Sequence, residues 1–391
     1  MVAASRRQLP RISLVTPSFN QAAYLEETIA SVLAQGYANL DFIVIDGGSN
    51  DGSVDIIRRH ERWLSYWVSE PDRGQSHAIN KGWRHSTGEL WTWLNSDDVL
   101  TPGTLAAVAA AFSRDPCIGL LYGDFAEIDE HGELVRVVRP GEVTLNDMLQ
   151  NNRIGQPGTF LRRAVIQGDK IVDERRHFCM DYELWLRLFA RTRPAYIPKT
   201  LAKFRLHAES KTIGAASAMA AELASVLRDA ECPAAMLAAR AEAVSRMLCR
   251  AAALAWCAGD RATSQSLIAE AERASAVPSR DGAFVECLTR YAVALHGESA
   301  SAVIRHFFDQ VEHSHCRIGR DLSRLYRREA VGFANVLVSR HTYPESGWRR
   351  FAWSAMREGT SRQILQLGID PFLRTIVGAH AVDLLQRLRR R

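Results

Sequence analysis

Short apolar runs, each halted by a cluster of Gly, Asp, Asn or Pro and followed by helically spaced residues, fill the first third of this chain. Ile12–Val15 stops at Thr16-Pro17, Phe42–Ile45 at Asp46-Gly47-Gly48, and Leu90–Leu94 at Asn95-Ser96-Asp97-Asp98. Tyr66–Val68 and Gly119–Tyr122 are further runs of this kind. Between them, Tyr24–Ala34, Ser53–His60, Ser76–Arg84 and Thr104–Phe112 carry apolar positions at the spacing of one helical face. Gly36 closes the first helix, and Ser53 or Asp51 caps the second. Strand and helix in strict alternation demand right-handed crossovers and predict an α/β domain with a mostly parallel central sheet.

The pattern then changes. Phe125–Asp129 and Leu134–Val138 flank the turn Glu130-His131-Gly132-Glu133 and read as a hairpin. Asp181–Phe189 is a strongly amphipathic helix, and Leu201–Leu206 reads as a strand. Beyond about residue 214 strand signals fade into Ala/Leu/Arg-rich helical sequence with turns at Cys232-Pro233, Gly259-Asp260, Pro278-Ser279, Gly297 and Pro344. Leu254–Pro278 reads as helix, turn, helix, with a weaker echo around Ala294–Val311, too few copies for a solenoid. The expected organisation is an α/β domain over residues 8–214 and an all-α C-terminal domain over 215–391, a division that suits 391 residues.

Bulk properties exclude several classes. No apolar run approaches the ~20 residues that span a bilayer. Met1–Pro10 holds Arg6 and Arg7 but no apolar core of signal-peptide length, so a cytoplasmic location is expected. The seven cysteines (117, 179, 232, 249, 257, 287 and 316) are odd in number and lack CxxC spacing, against a zinc ribbon or a disulfide scaffold. A net charge of +5 makes no case for nucleic acid as a partner. His306, His313 and His315 share no helical face and read as structural.

The chemistry gathers where strands end. Residues just past a strand converge on the crevice where open α/β sheets bind ligands. Asp97 and Asp98 follow such a run, and paired carboxylates there suit a hard divalent cation shared with a diphosphate. An Asp N-cap before Thr101-Pro102 is the plainer alternative. Pro17 leaves a carbonyl available beside the crevice, and Asp46 can accept hydrogen bonds from a base or ribose across a glycine-rich turn. Arg73, in Glu70-Pro71-Asp72-Arg73-Gly74-Gln75, can contact a phosphate oxygen or stand solvated in its turn. Neither GxGxxG nor GxxxxGK[ST] is present, which argues against a dinucleotide fingerprint and a P-loop.

In their order, Pro17-Ser18-Phe19-Asn20, Asp46-Gly47-Gly48-Ser49-Asn50-Asp51-Gly52-Ser53, Glu70-Pro71-Asp72-Arg73-Gly74, Asn80-Lys81-Gly82 and Asn95-Ser96-Asp97-Asp98 resemble family 2 glycosyltransferases. The resemblance covers roughly residues 10–210. It implies the GT-A fold (a nucleotide-diphospho-sugar transferase, Rossmann-like), inversion of configuration, a nucleotide-sugar donor (usually a UDP-sugar) and Mn²⁺ or Mg²⁺. The nucleotide-sugar site it implies comprises Pro17, Ser18, Asn20, Asp46, Gly48, Ser49, Asp72, Arg73, Gln75, Asn80, Asn95, Ser96 and Asp97. Asp97 and Asp98 fall at the metal. Met180-Asp181-Tyr182-Glu183 resembles the helix start whose Asp is the general base, so Asp181 takes that role. Phe204-Arg205-Leu206-His207-Ala208-Glu209-Ser210 resembles a later segment, which brings His207 to the metal or diphosphate.

Three positions depart from the common pattern. Asn95 replaces an Asp and leaves one fewer charge for the cation, Met180 replaces the acidic residue before the base, and Gly47 stands where a second acidic residue often follows Asp46. The implied reaction is metal-dependent, hexosyl-type transfer to a hydroxyl of a saccharide or lipid-linked acceptor, as in surface polysaccharide or glycan biosynthesis. Acceptor contacts are expected in loops around Leu145–Gly158. The tail Leu385-Gln386-Arg387-Leu388-Arg389-Arg390-Arg391 suits the inner face of an anionic membrane, or a solvated terminal helix, and the helical region suits acceptor binding or self-association. The rival readings are a nucleotidyltransferase, which wants a basic Gly-rich signature that Thr16–Asn20 lacks, and a degenerate nucleotide-sugar-binding module.

Overall fold

The computed structural model describes residues 9–207, 216–275 and 299–313, with single positions 288, 292, 296, 321, 323, 327 and 330. Readings that fall on residues 1–8, on Ala208-Glu209-Ser210, on Pro278-Ser279, Gly297, His315 and Pro344, and on the Arg-rich tail lie outside the described residues. The chain divides into two compact units, Met1–Ala243 and Val244–Arg391.

In the first unit β1 (Ile12–Ser18), α1 (Ala22–Leu33), β2 (Leu40–Asp46), α2 (Ser53–His60), β3 (Tyr66–Ser69), α3 (Gln75–His85) and β4 (Leu90–Trp93) follow the predicted alternation. β5 (Val99–Leu100) and α4 (Thr104–Arg114) come next, then β6 (Ile118–Ile128) and β7 (Leu134–Val138). α5 (Leu145–Gln150), β8 (Thr159–Arg162), α6 (Met180–Arg191), β9 (Arg193–Arg205) and α7 (Ala216–Asp229) complete it. The sheet order is β3-β2-β1-β4-β8-β6-β9-β5, with β7 paired to β6. β3, β2, β1 and β4 are all parallel, as the crossovers demand. Past β4 the directions mix. β8 runs antiparallel to both β4 and β6, whereas β9 runs parallel to β6.

Strand periodicity decides the two faces. Ile12 and Leu14 of β1, with Phe42 and Val44 of β2, point to one side and pack against Leu25, Ile29 and Val32 of α1 and Leu105, Val108 and Phe112 of α4. Full burial of each such side chain stabilises by roughly 1.5–3 kcal/mol. Val15, Trp91 and Trp93 take the other face. There α3 lies directly on β1: a Cβ added to Gly82 would fall 2.3 Å from Val15 Cγ1. On the same face Trp83 of α3 meets Trp91 edge-on at 5.5 Å, Trp91 lies 5.7 Å from Trp93, and Trp93 stacks on Trp185 of α6 at 5.6 Å and 18°. This row of indoles holds α6 over the carboxyl end of β4.

Several elements differ from expectation. Gly119–Tyr122 and Phe125–Asp129 are one strand, β6, since Gly123 and Asp124 continue the ladder through a register shift. β9 begins at Arg193, well before Leu201, with Pro198 at that same irregularity, where a missing N–H is tolerated. Leu145–Gly158 is not open loop throughout, because Thr144 and Asp147 form a capping box that starts α5.

The Gly259-Asp260 turn of the second unit follows α8 (Leu237–Cys257), which begins before Val244, and leads into α9 (Arg261–Ala274). Gly259 has a φ of +88°, and the Asp260 side chain accepts from Thr263 N–H to cap α9. Phe307 of α10 (Ala300–His313) packs 5.9 Å from Trp256, and His306 lies against the same indole. Among the described residues no helix is long and apolar enough to cross a membrane.

Candidate active site

The loops after β1 and β2 are sewn together. Ser49 Oγ accepts from Asn20 N–H at 2.8 Å, Asn20 Oδ1 accepts from Asn50 N–H at 3.0 Å, and Asp51 Oδ2 accepts from Ala22 N–H at 2.8 Å. Asn20 adopts a left-handed φ of +51°, which its short amide side chain tolerates. Pro17 stands just past the point where β4 leaves β1 opposite Val15, so its missing N–H breaks no bond to that strand.

Asp46 is enclosed. Its carboxylate accepts from the N–H groups of Gly48 and Ser49 and from the hydroxyls of Ser49 and Ser69, all within 3.1 Å. The residue expected to meet a base or ribose therefore organises its own loop. Ser18 is also buried, and its hydroxyl has no hydrogen-bond partner. Gly48, at φ +85°, approaches the backbone of Pro71 closely. Gly47 lies against Asp72 and Phe19.

Phe19 is 60% exposed at this rim. An exposed aromatic beside the strand ends is a stacking platform of the kind a nucleobase uses. Position in a polar, small-residue loop was the signal for it in the sequence. Asp72 caps its own turn, accepting from Gly74 N–H at 2.7 Å.

Asn80 and Arg73 both turn toward residues 171–174. Asn80 is fully buried, and its amide accepts from Ile171 N–H and Val172 N–H and donates to Val172 carbonyl and to Glu174, all within 3.1 Å. It fastens the 171–174 segment and offers no group to a ligand. Arg73, 68% exposed, reaches Glu174 Oε2 at 2.6 Å and so stands in a surface ion pair worth about 1 kcal/mol or less. Gln75, at the first turn of α3, donates to Asn95 Oδ1 at 2.7 Å.

The acidic pair is split by its surroundings. Asp98 is fully buried, accepting from Arg205 N–H at 3.1 Å and from the Asn95 amide at 3.2 Å. Burial, and then the charge of Asp97, pushes its carboxyl well above the usual range. It is shut away from solvent, so the expected role as a metal ligand does not fit it. Asp97 remains presented at 22% exposure, with His207 Nε2 3.0 Å from its Oδ2. His207 is 3% exposed and lies 4.9 Å from the ring of Tyr24. His207 and the strand-end acid thus meet across 110 residues of sequence.

Arg205 locks this corner. Its side chain is buried, donates to the carbonyls of Asp97, Asp129 and Glu130, and pairs with Glu27 at 2.6 Å. Below, Thr28 Oγ1 donates to the carbonyls of Ser96 and Asp98. Gln156 accepts from Asn95 and donates to Trp93 carbonyl. Among the described residues no group of three or more His, Cys, Asp or Glu side chains could hold a metal ion. One carboxylate with one imidazole fits a cation that takes its other ligands from a diphosphate and water.

Asp181 occupies the first turn of α6, one helical turn before Trp185 and on the same face, and Trp185 stacks over Trp93 near the end of β4. Burial raises its carboxyl to about 6, against an ordinary 3.8. N–H groups of Tyr182 and of Asp181 itself offset part of that rise, and the charge of Glu222 adds to it. A carboxylate poised there is a proton acceptor of general-base strength that is still mostly ionised at neutral pH.

Arg205, Gln156, Glu174 and Glu222 were not legible as site components. Each acts across 60 or more residues of sequence or through backbone atoms, and no local spacing records that.

Residues 13–169 match the sequence profile of Glycosyl transferase family 2. An uncharacterized glycosyltransferase of Rickettsia conorii is 28% identical over 214 residues, covering 51% of this chain and 34% of that protein. One from Mycobacterium tuberculosis is 39% identical over 116 residues, covering 29% and 44%. The chain thus spans about a third of the Rickettsia protein's length and under half of the Mycobacterium protein's. Among solved structures, S. aureus TarS superposes with a TM-score of 0.54 at 16% identity, covering 80% of this chain and 55% of TarS. The TarS fragment 1–349 in complex with UDP gives 0.52 at 14% identity, covering 86% and 93%. At such identities the likeness is one of fold. Taken together, profile and relatives show that the N-terminal part of the chain, residues 13–169, is similar to glycosyl transferase family 2.

Proposed function

We propose that this chain transfers a sugar, with inversion, from a nucleotide-diphosphate sugar to a hydroxyl of a saccharide or lipid-linked acceptor. The observation that carries the reading is a pair of acids at the carboxyl end of one sheet. Asp97 is presented beside His207, and Asp181 starts the helix stacked over the same strand end. In a single displacement the acceptor oxygen bonds to the anomeric carbon as the bond from that carbon to the diphosphate oxygen breaks. The proton of the acceptor hydroxyl passes to Asp181, and the diphosphate leaves with the bonding pair.

Asp97 and His207 would hold the divalent cation, which when bound supplies positive charge to the departing diphosphate. An imidazole in the donor set suits Mn²⁺ better than Mg²⁺. Phe19 offers a face for the base. UDP-sugars are the donors to try first, since the TarS fragment of like fold is a UDP complex. Acceptors of surface polysaccharide synthesis, handled in the cytoplasm or at the inner face of a membrane, fit the same chemistry.

The test is a screen of nucleotide sugars with Mn²⁺ for binding, hydrolysis and transfer, run on the native chain and on Asp181→Asn. The variant should bind donor as the native chain does and transfer no sugar. Full turnover by Asp181→Asn would overturn the assignment.

A further inference from the structure

The start of α6 lacks a side-chain cap of its own, since Cys179 stands at the cap position and makes no such bond. The missing acceptor comes from α7. Glu222 Oε1 accepts from Phe178 N–H at 2.9 Å and Cys179 N–H at 2.7 Å, and Oε2 accepts from His177 N–H at 2.9 Å. One and two turns further along α7, Ser225 and Asp229 accept from Arg176 at 2.9 and 2.6 Å. From the opposite side Ser76 of α3 donates to Arg176 carbonyl at 3.0 Å. Residues 176–179 are thereby pinned between two helices, immediately before Asp181.

We propose that Glu222 is a positioning residue for sugar transfer: it clamps the backbone that sets where Asp181 begins α6, and it keeps a second negative charge beside that carboxylate. The inference rests on the reading of Asp181 as the base. A helix N-terminus ordinarily stabilises a carboxylate and so weakens it as a proton acceptor. Three N–H groups engaged by Glu222 carry less positive character toward Asp181, and the like charge acts in the same direction.

The other charged or titratable groups nearby do not compete. The Cys179 thiol is driven far up by burial and stays neutral, and Arg176 is committed to Ser225 and Asp229. Glu183 is paired with Arg187 at 3.1 Å, and His177 meets Glu222 through its backbone.

The experiment is a ¹³C titration of Asp carboxyls in the full chain, with Asp181→Asn assigning the signal, alongside amide exchange at 177–179. In the native chain the Asp181 midpoint should lie at about 6. Glu222→Gln, nearly isosteric, should move that midpoint down by about half a unit or more and speed exchange at 177–179 about tenfold. The acidic limb of sugar transfer should move with it. A role confined to holding the fold would speed exchange and leave the midpoint where it was, and that result overturns the proposal.

Should Glu222→Gln fail to fold, Glu222→Asp withdraws the charge by one methylene. It should then lower the midpoint by a smaller step, and no shift would again overturn the proposal. Transfer by Asp181→Asn would sink the base assignment itself. A dead Asp181→Asn beside an unmoved midpoint in Glu222→Gln would sink this inference alone.

Discussion

Asp181→Asn should produce a chain that is inactive and more stable at neutral pH. The native carboxyl sits at about 6, whereas an unfolded Asp sits at 3.8. A folded-state value above the unfolded one means that the fold prefers the protonated form. Ionisation above pH 6 therefore works against folding, and the deficit fades as pH falls from 6 toward 4. Two units correspond to about 3 kcal/mol at pH 7.5. At pH 5, where the folded state is mostly protonated, about half of that deficit remains. This is an upper figure, because the side chain keeps some exposure. Asparagine retains an oxygen for the N–H groups of Asp181 and Tyr182 but carries no charge to desolvate.

Urea unfolding at pH 7.5, 5 and 3.5 checks it. The variant should exceed the native chain by up to about 3 kcal/mol at pH 7.5, by roughly half as much at pH 5, and by almost nothing at pH 3.5. At about 2–4 °C of melting temperature per kcal/mol for a unit of this size, thermal scans would see the same trend. A variant destabilised equally at all three pH values would refute the burial account of Asp181. Loss of activity with gain in stability is the pattern of a group held strained for function.

Asp97→Ala should abolish metal-dependent UDP binding in calorimetry, while His207→Ala should weaken it by about 10- to 100-fold and leave metal-free binding unchanged. Asn80→Ala should cost about 2–4 kcal/mol in urea unfolding with donor affinity little altered, because it strands the N–H groups of Ile171 and Val172 inside the fold. Gly82→Ala should lower stability by about 1–3 kcal/mol, as its methyl would collide with Val15 and push α3 off β1, and a melting curve at the native midpoint would expose that.

Much of the parallel half of the sheet was legible because each strand there is a short β-branched or aromatic run ended by its own breakers. Thr159–Arg162 was missed. It is four residues long, follows a Pro-Gly turn, and becomes a strand only because β4 and β6 offer edges on both sides. The positions of Asp97, Asp181 and His207 could be read from motif order. Their protonation and access could not.

Asp97 and Asp98 are neighbours with identical side chains, yet one faces the crevice and the other is sealed under Arg205 and Asn95. Strand-end geometry separates them, and no local pattern says which goes inward. Asn80 misled for a related reason. An Asn in a motif looks like a ligand-binding amide, and only the fold reveals that residues 171–174, some ninety positions on, take all its hydrogen bonds.

The four indoles of Trp83, Trp91, Trp93 and Trp185 lie within 5.7 Å of one another in sequence of contact, and the last of them shares a helix turn with Asp181. Rings so near exchange excitation, so the four behave as one coupled group that spans α3, β4 and α6. Nine tryptophans contribute to the ultraviolet emission of the whole chain, and this group is the share of it that borders the helix turn of Asp181.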